Sequence, residues 1–438
     1  MNQLIKMDQL RKLCLVFILV VPSFAFAQLP YGLLEDKPYD GTELTFLICC
    51  PAAKQFVAWA DSVDEFTDLT GIEVFFTNDP LGGLREKIVT ESIGSPGSWD
   101  VTIYFETWGP SLANFLEPID NFSDQWSPDL SDYPNATIGM ATLDDTLYGI
   151  PARSHVMMLY YRQDVLDELG LSVPTTWGEL TAAAQTITEA DNDMYGITMN
   201  WAKQGGGISL IPWTNVLRSF GADQYDADFR PVMNSPEAVA ATEMYANLLN
   251  YAPPAAVTYN EGDARTSYAS GEAAMVLAWS WAYEVFQNPE AAEQVVIDNT
   301  GFTPIIPGAE GPSAPVAMTW PMAISASSNN KEAALEWVKW MTNPDLDLEA
   351  VGSGQTVVAN RLSSLYSDAA AGSWDSFSEA MGDAYSSATP LPVYLEFPEG
   401  SDILETALSN IAGGADVAET LNSAATDIDD VMQRSGRY

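Results

Sequence analysis

Residues 148–180, YGIPARSHVMMLYYRQDVLDELGLSVPTTWGEL, carry the most structural instruction in this chain. A turn at 148–151 leads into an apolar run, 156–161, which reads as a buried strand. A short helix follows, with Val165, Leu166 and Leu169 on one face. Gly170 stands where a helix end takes a left-handed residue. Pro174 stops the chain from continuing as helix, and Thr176 with Glu179 spells a capping box for the next one. Leu180, Ala183, Ala184 and Ile187 then recur at helical spacing. The local order is therefore strand, helix, turn, helix.

Working outward towards the amino terminus, the chain reads βαβαβ. Strands are predicted at 44–49, 72–76 and 100–105, with helices at 54–69 and 84–93 between them. Phe56, Ala60, Val63 and Phe66 line one side of the first helix, which Gly71 closes. Such alternation argues for a parallel sheet covered on both faces, with ligands beyond the carboxyl ends of its strands. Those ends are 49–53, 77–82 and 105–108. Towards the carboxyl terminus, 195–201, a helix at 236–249 and the segment 271–281 lead to a Pro/Gly-rich stretch, GFTPIIPGAEG at 301–311. Ala334, Trp337, Val338 and Met341 share a face of a helix at 331–344, and the remainder to residue 438 looks helical. No internal repeat is present.

The wording of 148–180 resembles that of the extracellular solute-binding proteins of ABC importers, in particular the maltose-binding-protein-like (family 1 type) group that binds sugars and polyols. The shared words are Tyr148-Gly149 with Pro151, Tyr160-Tyr161-Arg162 with Asp164, Gly170 with Pro174, and Thr176-Trp177 with Glu179-Leu180. YASGEAAMVLAWSW at 268–281, 318–325, KEAALEWVKWMTNP at 331–344 and 352–361 resemble further segments of the same family in the same order. The resemblance implies an α/β, two-lobed periplasmic-binding-protein fold (type II). Each lobe is then a mostly parallel sheet flanked by helices, and hinge crossings join the two. It further implies a signal peptide at 1–27, a leader at 28–41, lobe one at 42–152 plus 303–358, and lobe two at 153–302 plus 359–438.

Composition narrows the function. Lys6, Arg11 and Lys12, the apolar run 13–21 and Ala25-Phe26-Ala27 read as a secretory signal peptide, which places the mature chain in the periplasm. The apolar run is shorter than the roughly 20 residues a membrane span needs. Against 18 Lys and Arg stand 60 Asp and Glu, spread along the chain. Such a surface disfavours nucleic acid and anionic membranes and suits a protein working in high salt. Cys49 and Cys50 are adjacent, a spacing that strains a disulfide, so they read as two thiols at a strand end. A single histidine and no Cys-x-x-Cys give no support for zinc. The cluster Asp223, Asp226 and Asp228 lacks the glycine and glutamate of a calcium hand. No metal, cofactor or catalytic residue is expected.

A sugar presents an apolar ring face and a rim of hydroxyls, which aromatic plates and bidentate polar groups recognise. The candidate ligand-binding residues are Asp79, Glu106, Trp108, Arg153, Trp201, Trp213, Trp279, Trp281, Trp320 and Arg361. The tryptophans among them are assigned to strand ends or loops. Trp59, Trp177, Trp337 and Trp340 fall on helices and read as core. For Glu106 a helix-cap role competes with ligand binding, and His155 reads as a hinge hydrogen-bonder. The expected activity is capture of a carbohydrate or polyol for the membrane permease of an ABC importer, by a monomer without chemistry of its own. A secreted glycoside-active enzyme with paired carboxylates is the alternative. A carrier of amino acids, peptides or metal ions is a further one.

Overall fold

The computed structural model describes residues 29–51, 53–190, 193–304 and 315–438. The expected signal peptide, and the crossing at 301–311 from residue 305 on, lie outside the described residues. Lobe one opens with β1 (Glu43–Ile48), followed by α1 (Lys54–Asp61), α2 (Val63–Thr70), β2 (Glu73–Asn78), α3 (Leu81–Gly94) and β3 (Val101–Ile103). β1 pairs in parallel with both β2 and β3, Phe46 lying beside Phe76 and Val101. The single helix expected at 54–69 is two. Ser62 turns its hydroxyl onto the Trp59 carbonyl at 2.9 Å, and its amide follows at 3.3 Å, which tightens the turn and breaks the ladder. Gly71 ends α2 in the left-handed region at φ 76°.

The run that follows Tyr148 is one 13-residue strand, β4 (Ile150–Arg162). After it come α4 (Gln163–Glu168), α5 (Trp177–Glu189), α6 (Leu210–Ser219), α7 (Pro236–Asn247) and α8 (Glu261–Ala269). Next are β5 (Met275–Trp279), β6 (Thr300–Pro304), β7 (Ala317–Ser325) and α9 (Lys331–Met341). The chain closes with α10 (Phe377–Ser387), α11 (Phe397–Ala412) and α12 (Val417–Ser435). Thr176 caps α5 by accepting the Glu179 amide at 3.2 Å. The Glu179 carboxylate reaches back to the Thr175 amide at 2.7 Å, one residue earlier than the capping box predicts.

β4 changes partners along its length. Ile150 to Val156 pair antiparallel with β7, which in turn pairs antiparallel with β3 of lobe one. Met157 to Tyr161 pair antiparallel with β5, and Met158 to Arg162 with β6. The sheet order is β2-β1-β3-β7-β4-β5, with β6 also on β4. The sheet is mixed because strands that carry the chain between lobes run against their neighbours. Around β5 the parallel element shrinks to isolated bridges, Tyr195 to Ala273 and Thr198 to Val276.

Both faces are covered. On lobe one, Phe66 lies edge-on to Trp337 of α9 at 4.9 Å with Trp340 beside it, and Trp59 packs on Phe46. These helix tryptophans are buried, as is Trp177. On lobe two, Tyr283 stacks on Phe377 of α10 at 4.2 Å, while α11 packs on α6 and α12 on α7. The two carboxyl-terminal helices thus cover α6 and α7. No helix among the described residues is long and apolar enough to cross a membrane.

Candidate functional site

The carboxyl end of β1, the bend of β7 and the end of β5 meet between the lobes around a cavity of about 950 Å³. That size lies within the range of small-molecule sites, about 300–1,000 Å³. Lobe one supplies Cys50, Lys54, Gln55, Arg85, Phe105 and Trp108. The crossing strands supply Arg153, His155, Met318 and Trp320, and lobe two brings Gln204–Gly206, Glu261, Trp279, Trp281, Glu284 and Phe397.

Register explains the centre of the site. Arg153 and Trp320 are directly opposed on β4 and β7, so both side chains leave the same sheet face. The pairing slips between Trp320 and Pro321, a bulge of the kind that re-aims side chains at functional sites. Phe105, Trp108 and Trp320 form an aromatic corner with ring centroids 5.6–6.3 Å apart. The Arg153 guanidinium lies 5.2 Å from the Phe56 ring centre and 5.9 Å from that of Trp320. Opposite, Trp279 stands 6.3 Å from His155, and Trp281 carries the Arg265 guanidinium at 4.6 Å.

Several polar atoms at the cavity wall are buried without a hydrogen-bond partner among the described residues. They are Gln55 Oε1, Arg153 Nε, both ring nitrogens of His155, and Trp320 Nε1. Buried polar groups are nearly always paired, so this cluster has unspent capacity that a solute can fill. His155 is accordingly corrected from hinge hydrogen-bonder to unpartnered wall residue. Burial, reinforced by Arg153, holds its imidazole well below the ordinary value, so it is neutral near pH 7. Glu284 is pushed up by burial, against hydrogen bonds from the Thr356 hydroxyl at 2.6 Å and the Val357 amide at 2.7 Å.

Of the sequence-predicted site residues, the fold brings Trp108, Arg153, Trp279, Trp281 and Trp320 to the cavity wall. Glu106 lies buried in the 3-10 turn Glu106–Trp108 rather than on the wall, and among the described residues neither carboxylate oxygen has a hydrogen-bond partner. Burial pushes it up to about 8, with partial relief from the backbone of Glu106 itself and of Thr319. The other four are corrected. Asp79 faces Lys87 of α3 at 3.5 Å. Trp201 packs on Tyr245 inside lobe two. Trp213 lies on the buried helix α6, not in a loop, and donates to the Thr242 hydroxyl at 2.9 Å. Arg361 turns away to the Thr342 carbonyl at 2.8 Å and to Asp132 at 3.6 Å. In each case a nearer partner or the core captures the side chain.

Wall residues that sequence reasoning missed include Gln55, Gln204–Gly206 and Phe397. The run Gly205–Gly207, all at positive φ, carries a turn signal in its composition. Phe397 has no local signal, because α11 reaches the cavity only through tertiary packing. The acidic cluster is a turn: Asp226 Oδ1 accepts the Asp228 and Arg230 amides at 2.9 Å, and Asp223 pairs with Arg218. Cys49 and Cys50 are free thiols.

The family described as bacterial extracellular solute-binding protein matches residues 52–346. A probable amino-acid ABC transporter periplasmic-binding protein of Sinorhizobium fredii is 26% identical over 332 residues, 74% of this chain and 73% of that one. A mannitol-binding protein of Pseudomonas aeruginosa is 27% identical over 267 residues, covering 59% of this chain and 60% of its own. The solute-binding protein of Agrobacterium radiobacter K84, solved in complex with ribitol, shares the fold at a TM-score of 0.79 and 24% identity. That comparison covers 90% of this chain and all of the other. The match covers well over half of the chain, and the chain belongs to the bacterial extracellular solute-binding proteins.

Proposed function

We propose that the protein captures a sugar or sugar alcohol between its lobes and delivers it to the membrane permease of an ABC importer. The observation that carries this is the cavity wall: four tryptophans stand beside polar atoms that have no partner among the described residues. Aromatic faces suit the apolar side of a polyhydroxylated molecule, and unpartnered donors and acceptors suit its hydroxyls. The mannitol-binding relative and the ribitol-bound neighbour support the same class. Closure follows from the two-sided wall. A solute touching both lobes stabilises the closed form, since the open form offers it only part of those contacts. The protein acts as an exported monomer, works in the periplasm and turns nothing over.

A thermal-shift screen of mono-, di- and trisaccharides and polyols tests the class, because a ligand that binds the native state raises its melting temperature. Trp279→Ala and Trp320→Ala are expected to weaken the best hit by about tenfold or more each. Full affinity in both variants, or a shift with amino acids and none with polyhydroxylated compounds, overturns the reading.

A further inference from the structure

Carboxylates outnumber cations 60 to 18 in this chain. Many cations elsewhere in the fold are matched to them, as in Lys331 with Glu117 at 2.7 Å and Lys339 with Glu336 at 2.6 Å, and Lys37 and Arg230 instead meet a backbone carbonyl and a tyrosine ring. Two cations at the cavity are not matched. Arg153 makes no hydrogen bond or ion pair among the described residues, and its Nε is buried. Lys54 has neither as well, and it borders the same cavity. It is the first residue of α1, where the helix dipole disfavours a positive charge. The cap residue Ala53 offers no side-chain acceptor, so the leading amides of α1 add to the positive end. His155, buried to 1% exposure with both nitrogens unpartnered, completes this side of the wall.

An unpaired, partly buried guanidinium is costly unless a ligand compensates it. The carboxylates nearest across the cavity are already engaged. Glu261 accepts twice from Arg265, at 2.6 and 2.8 Å, and Glu284 accepts from Thr356 and Val357. They act on Arg153 only through space, and Glu284 likewise on Lys54, so what the site lacks is an anion in direct contact with either cation.

We propose that the solute is a polyhydroxylated monocarboxylate of the aldonic or uronic acid type, its carboxylate lying between Arg153 and Lys54 at the amino end of α1. This rests on the sugar-or-polyol reading and narrows it. The planar fork of arginine matches a carboxylate in bidentate fashion. One charge fits better than two, because Glu261 and Glu284 line the same cavity within electrostatic reach of Arg153 and would repel a dianion more strongly.

Calorimetric titration of the mature chain with matched pairs decides it: D-gluconate against D-glucitol, D-glucuronate against D-glucose, and glucose 6-sulfate as a monoanion without a carboxylate. The acid of at least one pair is expected to bind about tenfold or more tighter than its neutral partner. Arg153→Gln and Lys54→Gln should each cut that ratio severalfold, with unliganded melting temperatures recorded to verify folding. A neutral partner that binds as well as its acid overturns the proposal and leaves the sugar-or-polyol reading standing. So does a ratio untouched by both substitutions, or preference for the sulfate ester. Failure of every compound to bind overturns the proposal, and the sugar-or-polyol reading then rests on the thermal-shift screen.

Discussion

Cys50 and Glu106, both near the cavity, are displaced from ordinary behaviour in opposite directions, and each displacement is measurable. Cys50 sits at φ 54° and borders the cavity. The neighbouring Cys49 thiol bonds to its sulfur and Arg153 lies close, so its thiol falls to about 7 against the pull of burial. Iodoacetamide should therefore modify Cys50 with a rate midpoint near pH 7 instead of the usual thiol value of about 8.5. Bound solute should protect it, while Arg153→Gln should move the midpoint up. A midpoint at the ordinary value refutes the electrostatic account. Glu106 is the reverse case, raised by burial from 4.5 to about 8. Between those two values the folded state holds a proton that the unfolded chain has lost, so stability falls as pH rises through that window. Glu106→Gln removes the titration. Its melting temperature should gain on wild type from pH 5 to pH 9, and a pH-independent difference counts against a buried acid. Residue-scale detail of this kind was only half legible in the sequence. Trp108 and Trp320 could be found because strand ends face a cleft. The isolation of Glu106, and the capture of Arg361 by Thr342 and Asp132, depend on partners far away in sequence.

Elements were read more securely, because their signals are local. Gly170 at φ 65°, the Thr176 cap and the helix Lys331–Met341 follow from spacing and turn chemistry alone. The break at Ser62 was missed because one serine hydroxyl competing for a carbonyl leaves the apolar periodicity intact. Trp213 reads as a loop residue in the sequence because the glycine run 205–207 and Pro212 stand just before it, and both are turn signals that here precede or open a buried helix. How elements dock was not legible at all. The start of β7 is held to α6 by Asn215, whose Oδ1 accepts the Val316 amide at 2.8 Å while its amide group donates to Ile211 at 2.7 Å. Every partner in this bridge is buried. Asn215→Ala orphans the Val316 amide and should cost about 1–3 kcal/mol in urea unfolding. A change below about 0.5 kcal/mol means that the amide finds another acceptor.

At the scale of the whole molecule, a formal net charge of −42 at pH 7 works against the compact state. Two effects of salt oppose each other. Screening weakens attractive pairs, but the exposed ones, such as Arg434 with Glu399, are each worth only about 0–1 kcal/mol. Screening also weakens repulsion among carboxylates that far outnumber the cations, and that sum extends over the whole surface. Repulsion should dominate, because unlike-charge pairs run out when the 18 cations are matched and like-charge pairs do not. The Debye length falls from about 10 Å at 0.1 M to about 3 Å at 1 M, so relief should be largely complete near molar salt. The melting temperature is expected to rise by on the order of 5–15 °C between low and molar sodium chloride. Potassium chloride should trace the same curve, since screening depends on ionic strength and not on the cation. Binding should respond differently. Arg153 is partly shielded between Phe56 and Trp320, and shielded charges are screened less than exposed ones. A preference for an acidic solute should therefore persist in molar salt while global stability climbs. A flat or falling melting profile would refute the repulsion argument, and loss of the preference in step with screening would put the carboxylate at the surface rather than against Arg153.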